Sequence, residues 1–173
     1  MDEIRDPREE DKEVLENFFR VVIEDTIARE EIDIPYFLED EVEDKMATLE
    51  GYLSREGERR VFLLACRRGK VVGTISYAPC NEALVDILGR DSEKAGEIGT
   101  VYVHPEYQKM GIGASLLGAI CHHLLEMNIK RFYLDSGYSG AQRYWRKKLG
   151  EPMKVVKDYW DKGADHMIWY KEL

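Results

Sequence analysis

The sequence predicts a single α/β domain, and three observations carry that expectation. Apolar residues recur at spacings of three and four over 9–29, 36–54 and 112–125, while shorter alternating or β-branched runs stand between and after them. Residues 97–125 pass from an alternating run, through a Pro-containing turn, into Gly-x-Gly and an amphipathic run, which is a strand, a loop and a helix in succession. The 173 residues, 44% hydrophobic and 34% charged, suffice for one substantial core and contain no internal repeat, low-complexity tract or linker, so 1–173 reads as one unit.

Ile4 and Arg5 open the chain as a short strand before Pro7. Over 9–29 the rows Val14, Phe18, Val22 and Leu15, Phe19, Ile23, Ile27 give a helix with a broad buried face. A break at 32–35 follows, because Pro35 disfavours helix at the residue before it. A second helix, 36–54, carries Phe37, Leu38, Val42, Met46, Leu49 and Leu53. Residues 60–67 and 70–78 read as a hairpin turning at Arg68-Gly69. The connection 81–96, with a short helix at 83–88, is long enough to be a lid or binding loop. Strand 97–103 leads into the Gly-x-Gly and its helix, on which Leu116, Leu117, Ile120, Cys121, Leu124 and Leu125 form the apolar face. Strand 131–135, helix 140–149 and strands 153–159 and 165–170, separated by a turn at 161–163, complete the order.

Composition narrows the function classes. A net charge of −9 argues against nucleic acid as a partner, and the absence of any long apolar run argues against a membrane span. The N-terminus lacks the apolar stretch of a signal peptide, so the expected compartment is the cytoplasm. Cys66, Cys80 and Cys121 are odd in number and lack ligand spacing, and the four histidines do not cluster, so reduced thiols and no metal are expected. Residues 1–58 hold 21 acidic and 7 basic side chains, whereas 59–173 hold 13 and 18. That division suits a cationic acceptor on one half and an anionic cosubstrate on the other, though solvated helix faces account for it equally.

Gly111 and Gly113 stand where a helix begins, and the first turn of a helix presents unpaired N–H groups and a partial positive charge to an anion. Two common phosphate motifs do not fit. A dinucleotide fingerprint wants glycine at position 116, which is Leu, and a P-loop wants Gly-Lys before Ser or Thr, whereas Gly113 precedes Ala114. What remains is Gln108-x-x-Gly111-x-Gly113-Ala114 after a strand ending Val101-x-Val103-x-Pro105, and this resembles the acetyl-CoA-binding motif of the GNAT superfamily of N-acetyltransferases. The resemblance implies the GNAT fold: a twisted mixed, mostly antiparallel sheet splayed at the cradle strand and flanked by helices. It also implies acetyl-CoA as acetyl donor, held by the main chain of Val101, Tyr102 and Val103 and by Gln108, Lys109, Met110, Gly111, Ile112, Gly113 and Ala114. Glu97 falls where several members of the superfamily carry the general base.

Acyl transfer from a thioester to an amine needs a neutral amine, a polarised carbonyl and a protonated leaving thiolate. Glu97 answers the first need. Gly99 within its strand suggests a bulge that frees a main-chain N–H for the second, or simply room for packing. For the third, the GNAT pattern wants a Tyr four residues after a small residue and four before a Gly on the last helix. Between Ala141 and Gly150 this chain has one residue too many, with Trp145 and Arg146 at those places and Tyr144 beside them. Tyr144 is the first candidate for the acid, with Ser136, Ser139 and solvent as alternatives, and Trp145 reads as an aromatic anchor. Arg143, Arg146, Lys147 and Lys148 offer one or two further charges to the donor's phosphates. The expectation is direct acetyl transfer to a primary amine of a small cationic molecule. A non-catalytic acyl-CoA-binding module and a protein or peptide acetyltransferase stand as alternatives, and a homodimer is left open.

Overall fold

Residues 61–67, Val-Phe-Leu-Leu-Ala-Cys-Arg, offer solvent no polar side chain before the last position, so a strand here has both faces covered. In the computed structural model, which describes residues 3–55 and 59–173, that strand lies near one side of a sheet whose order is β1-β2-β3-β4-β5-β7-β6. The strands are β1 (Glu3–Arg5), β2 (Val61–Arg67), β3 (Lys70–Ala78), β4 (Glu97–Val103), β5 (Arg131–Ser136), β6 (Lys154–Asp161) and β7 (Ala164–Glu172). The helices are α1 (Lys12–Glu30), α2 (Phe37–Leu53), α3 (Glu82–Leu88), α4 (Ile112–Glu126) and α5 (Ser139–Leu149).

Alternation along β2 divides the core into two layers. Val61, Leu63 and Ala65 pack with Ile112, Leu116, Ile120 and Leu124 of α4, and Trp145 of α5 joins that layer. Phe62, Leu64 and Cys66 face the other way, against Leu15, Phe19 and Ile23 of α1 and Val42 and Leu49 of α2. Two residues expected on buried faces point outward, since Val14 and Leu125 are each 51% exposed. The reason is the pitch of the helix. Each four-residue step rotates a row by about 40°, so the row Val14, Phe18, Val22 leaves the core at its first member, and Leu117, Cys121, Leu125 at its last.

Every neighbouring pair is antiparallel except β4 and β5. These two run parallel and pair at one position, Glu97 with Tyr133, reinforced by the Tyr133 N–H on the Gly96 carbonyl. Beyond that point they separate. β4 also bulges against β3, because Ser76 faces Gly99 while Thr74 faces Tyr102. The residue forced into the left-handed region there is Thr100 (φ 52°), not Gly99, and its carbonyl accepts from Thr74 Oγ1 at 2.8 Å. The bulge expected at Gly99 is therefore one residue further on. Gly99 lies beside the Glu97 carboxyl, and a Cβ on it would stand 3.4 Å from Oε1, in ordinary contact.

The connection 81–96 is more ordered than a mobile lid. Asn81 caps α3 by accepting the Leu84 N–H at 2.9 Å, a 3-10 turn spans Arg90–Lys94, and the Tyr77 hydroxyl donates to the Ala95 carbonyl beneath it.

Candidate active site

The Val103 end of β4 is shaped by backbone. A 3-10 turn, Pro105–Tyr107, is held by the His104 N–H on Val72 O at 2.9 Å. Lys109 (φ 62°) and Gly111 (φ 81°) then reverse the chain into α4. The Ser115 N–H donates to Gly111 O, so the N–H groups of Ile112, Gly113 and Ala114 precede the helical ladder and face outward as a group. The structure thus brings 111–114 together as one helix N-terminus on the end of β4. Side chains take little part. Gln108 donates its amide to Val103 O at 3.2 Å and braces the turn, Ile112 is buried in the core, and Lys109 and Met110 are exposed. Val101 and Val103 pack toward α4 and Tyr102 toward α1, where it meets Phe19 edge-on.

The two glycines do different work. A side chain at Gly111 would meet no atom within 4 Å, and what demands glycine there is the positive φ. A Cβ at Gly113 would stand 2.9 Å from Tyr144 Oη. Gly113 makes room for that hydroxyl, a correction to reading it as open cradle alone.

Tyr144 is the side chain whose surroundings ask for a ligand. Its hydroxyl is buried and has no hydrogen-bond partner among the described residues, although its ring is fixed edge-on against Trp145. Burial pushes its pKa above the usual phenol value, so it stays protonated. The two serines are already occupied. Ser136 Oγ accepts from the Tyr138 N–H at 3.1 Å, and the Ser139 hydroxyl donates to Glu30. Trp145 is buried in the α4-side core, as an anchor would be. The unsatisfied phenol lies beside the first turn of α4, the segment that the sequence resemblance assigns to the donor's phosphates.

The Glu97 end is built from side chains of several elements. Burial, and then Asp135, push the Glu97 carboxyl up to about 8, against the opposing effect of Asn81 and Lys45. Its Oε2 accepts from the Asn81 N–H at 3.1 Å and from Asn81 Nδ2 at 2.7 Å. Asn81 Nδ2 also reaches both oxygens of Asp135 at 3.1 Å, and Asp135 Oδ2 lies 2.8 Å from His166 Nε2. Of the residues in this cluster the sequence names Glu97 as a candidate but not Asn81 or Asp135, and it leaves His166 aside as unclustered. A signal existed for Asp135, an acid closing the Phe132, Leu134 alternation of a strand beside the cradle strand.

Acidic residues also border the opening from the α1 and α2 side. Glu30 accepts from the N–H groups of Ser139 and Gly140 at 3.0 and 2.9 Å, tying the end of α1 to the start of α5. Glu41 accepts from the Tyr138 hydroxyl at 3.4 Å and pairs with Lys45 at 3.5 Å. Among the described residues no group of three or more His, Cys, Asp and Glu side chains is placed to hold a metal ion, and no helix is long and apolar enough to cross a membrane.

Residues 26–150 match the family model described as the acetyltransferase (GNAT) family. A search of curated protein sequences finds no match. Among solved structures, the chain is similar to a PaiA N-acetyltransferase from Thermoplasma acidophilum in complex with coenzyme A, at a TM-score of 0.70 and 20% identity, covering 99% of this chain and 98% of the other. It is also similar to a ribosomal-protein-alanine N-acetyltransferase from Brucella melitensis (TM-score 0.71, 23% identity, 99% of each chain). An aminoglycoside 6'-N-acetyltransferase complexed with coenzyme A matches at a TM-score of 0.65 and 14% identity, over 98% of this chain and 96% of the other. At these identities the likeness is one of fold.

Proposed function

The chain belongs to the GNAT acetyltransferase family, and within it we propose that it transfers the acetyl group of acetyl-CoA directly to the primary amine of a small cationic molecule, with Glu97 as base and Tyr144 as acid. The observation that carries this reading is the buried, unpartnered Tyr144 hydroxyl beside the first turn of α4. An unsatisfied buried hydroxyl lowers stability by about 1–3 kcal/mol, so its presence there favours a bound ligand that accepts its hydrogen bond.

Acetyl-CoA supplies an activated acyl group on a thiol leaving group. The N–H groups of Ile112, Gly113 and Ala114 hold its pyrophosphate, with Lys109 adding charge from the exposed side of the turn. The main chain of Val101, Tyr102 and Val103, unpaired with β5 beyond Glu97, lines the opening and offers N–H groups to the acyl and pantetheine parts. Glu97 takes a proton from the acceptor ammonium so that the amine can attack, and its raised proton affinity suits that exchange near neutral pH. Tyr144 keeps its proton until negative charge develops on sulfur, then donates it.

A cationic acceptor is favoured by the acidic side chains of Glu30, Glu41 and Asp135 around the opening. The test is acetyl-CoA-dependent thiol release across free polyamines, amino acids, aminoglycosides and peptide amines. Turnover on a free cationic amine supports the reading. Turnover on peptides alone makes the chain a protein acetyltransferase, and acetyl-CoA binding without release to any amine makes it a binding module.

A further inference from the structure

Two carboxyl groups, Glu97 and Asp135, stand where the acceptor's proton is to go, and a single amide lies between them. Asn81 Nδ2 is 2.7 Å from Glu97 Oε2 and 3.1 Å from each Asp135 oxygen. The amide is not free to turn, because Asn81 Oδ1 is held by the Leu84 N–H at the start of α3. Behind Asp135, His166 Nε2 lies 2.8 Å from Oδ2, and His166 Nδ1 accepts from Trp160 Nε1 at 3.1 Å. An indole N–H is a donor only, so Nδ1 carries a lone pair and Nε2 the hydrogen. His166 is therefore a neutral imidazole in one tautomer, donating to Asp135.

We propose that Asn81, His166 and Trp160 are positioning residues that hold Asp135 as the charged carboxylate and so make Glu97 the carboxyl that takes up the acceptor's proton. The inference rests on the acetyl-transfer reading given above. Two carboxyls sharing one buried site do not ionise at the same pH, and the one with an oxygen that accepts no hydrogen bond has room for the proton. Asp135 receives donors on both oxygens and from two directions, His166 and Asn81. Glu97 receives both of its bonds from Asn81 on Oε2 alone, while Oε1 lies over the side-chain-free Gly99. In the step itself an ammonium N–H bond breaks, its electron pair stays on nitrogen, and the proton passes to Glu97. The charged and polar groups facing Glu97 are Asp135 from β5, Lys45 from α2 and Asn81 from the start of α3. Lys45 favours the ionised form and Asp135 opposes it, so each variant has a sign.

Carboxyl carbon NMR of the full chain, labelled at Glu and Asp, reads this without any acceptor. Glu97 is expected to titrate well above the usual carboxylate range. Asp135→Asn removes the neighbouring charge and should move the Glu97 step to lower pH by about one unit or more. Asn81→Ser keeps a capping hydroxyl but deletes the amide donor, and should move the same step upward. Ring-nitrogen shifts of His166 should show a neutral Nε2–H imidazole. The acid limb of kcat/KM should follow the Glu97 step in both variants, in opposite directions, which a merely structural defect would not produce. An unmoved Glu97 step or a protonated Nδ1 overturns the assignment. Titrations that move while the acid limb stays fixed overturn Glu97's part as proton acceptor. A wild type with the expected titrations but no transfer to any amine fails the functional reading instead.

Discussion

The two ends of β4 are built from different materials. At Val103 the chain presents backbone: a turn set by Lys109 and Gly111 and a first helical turn whose N–H groups precede the ladder. At Glu97 it presents side chains drawn from β4, β5, β7 and the start of α3, joined by hydrogen bonds of 2.7–3.1 Å. Main-chain donors do not titrate and give way only to steric intrusion. A cluster of carboxyls and an imidazole depends on which group holds a proton. The Val103 end should therefore respond to bulk and the Glu97 end to pH, and each variant below tests that division.

The largest effect is expected from Gly113→Glu. Its Cβ would meet Tyr144 Oη at 2.9 Å, and its carboxylate would stand where an anion binds. Acetyl-CoA affinity should fall beyond calorimetric detection at every pH, with wild-type circular dichroism. Affinity that survived would remove the first turn of α4 from the donor site.

Glu97→Gln should come next, lowering turnover about 100-fold with acetyl-CoA affinity unchanged. The deficit should shrink as pH rises and the amine deprotonates unaided. A deficit equal at all pH values would show that Glu97 shapes the site without exchanging protons.

Tyr144→Phe separates chemistry from packing. Turnover should fall about tenfold or more, while melting temperature holds or rises, because the deleted hydroxyl is buried without a partner. Trp145→Phe should do the reverse, lowering melting temperature through lost burial in the core. If Tyr144→Phe turns over normally, solvent is the proton source.

The smallest effect is on stability against pH. Glu97 binds its proton more tightly in the folded chain, at about 8, than at its ordinary value of 4.5. The folded state therefore holds more protons between those values, and the stability linked to Glu97 is full below the lower one and lost as pH rises through the upper one. Denaturant midpoints of wild type and Glu97→Gln should diverge between pH 5 and 9, with the variant gaining at the alkaline end. Parallel profiles would place the perturbed proton elsewhere.

The unequal legibility of the two ends has a physical cause. The cradle occupies consecutive residues, and its determinants, a positive-φ glycine and an apolar period of three and four, are local properties of the chain. Strand 97–103 and the helices were readable for the same reason, with errors confined to the ends of helical rows such as Val14 and Leu125. The Glu97 cluster joins positions 81, 97, 135 and 166, and no local rule says that an N-cap asparagine will also bridge two carboxyls. Tyr144 lies between these cases, since the sequence placed it on the last helix but not its hydroxyl against Gly113.

By itself, then, the sequence determined the order of elements, the covered strand and helix faces, and a helix N-terminus fit for an anion, because periodicity and backbone conformation are set by neighbours along the chain. Only the tertiary structure decided that Thr100 rather than Gly99 takes the strained place in the bulge, that Gly113 yields to Tyr144, and that Glu97 answers to Asp135 through Asn81. Those outcomes depend on strand register and on the parting of β4 from β5 after one pair, and register is fixed by the packing of two whole faces rather than by any single residue.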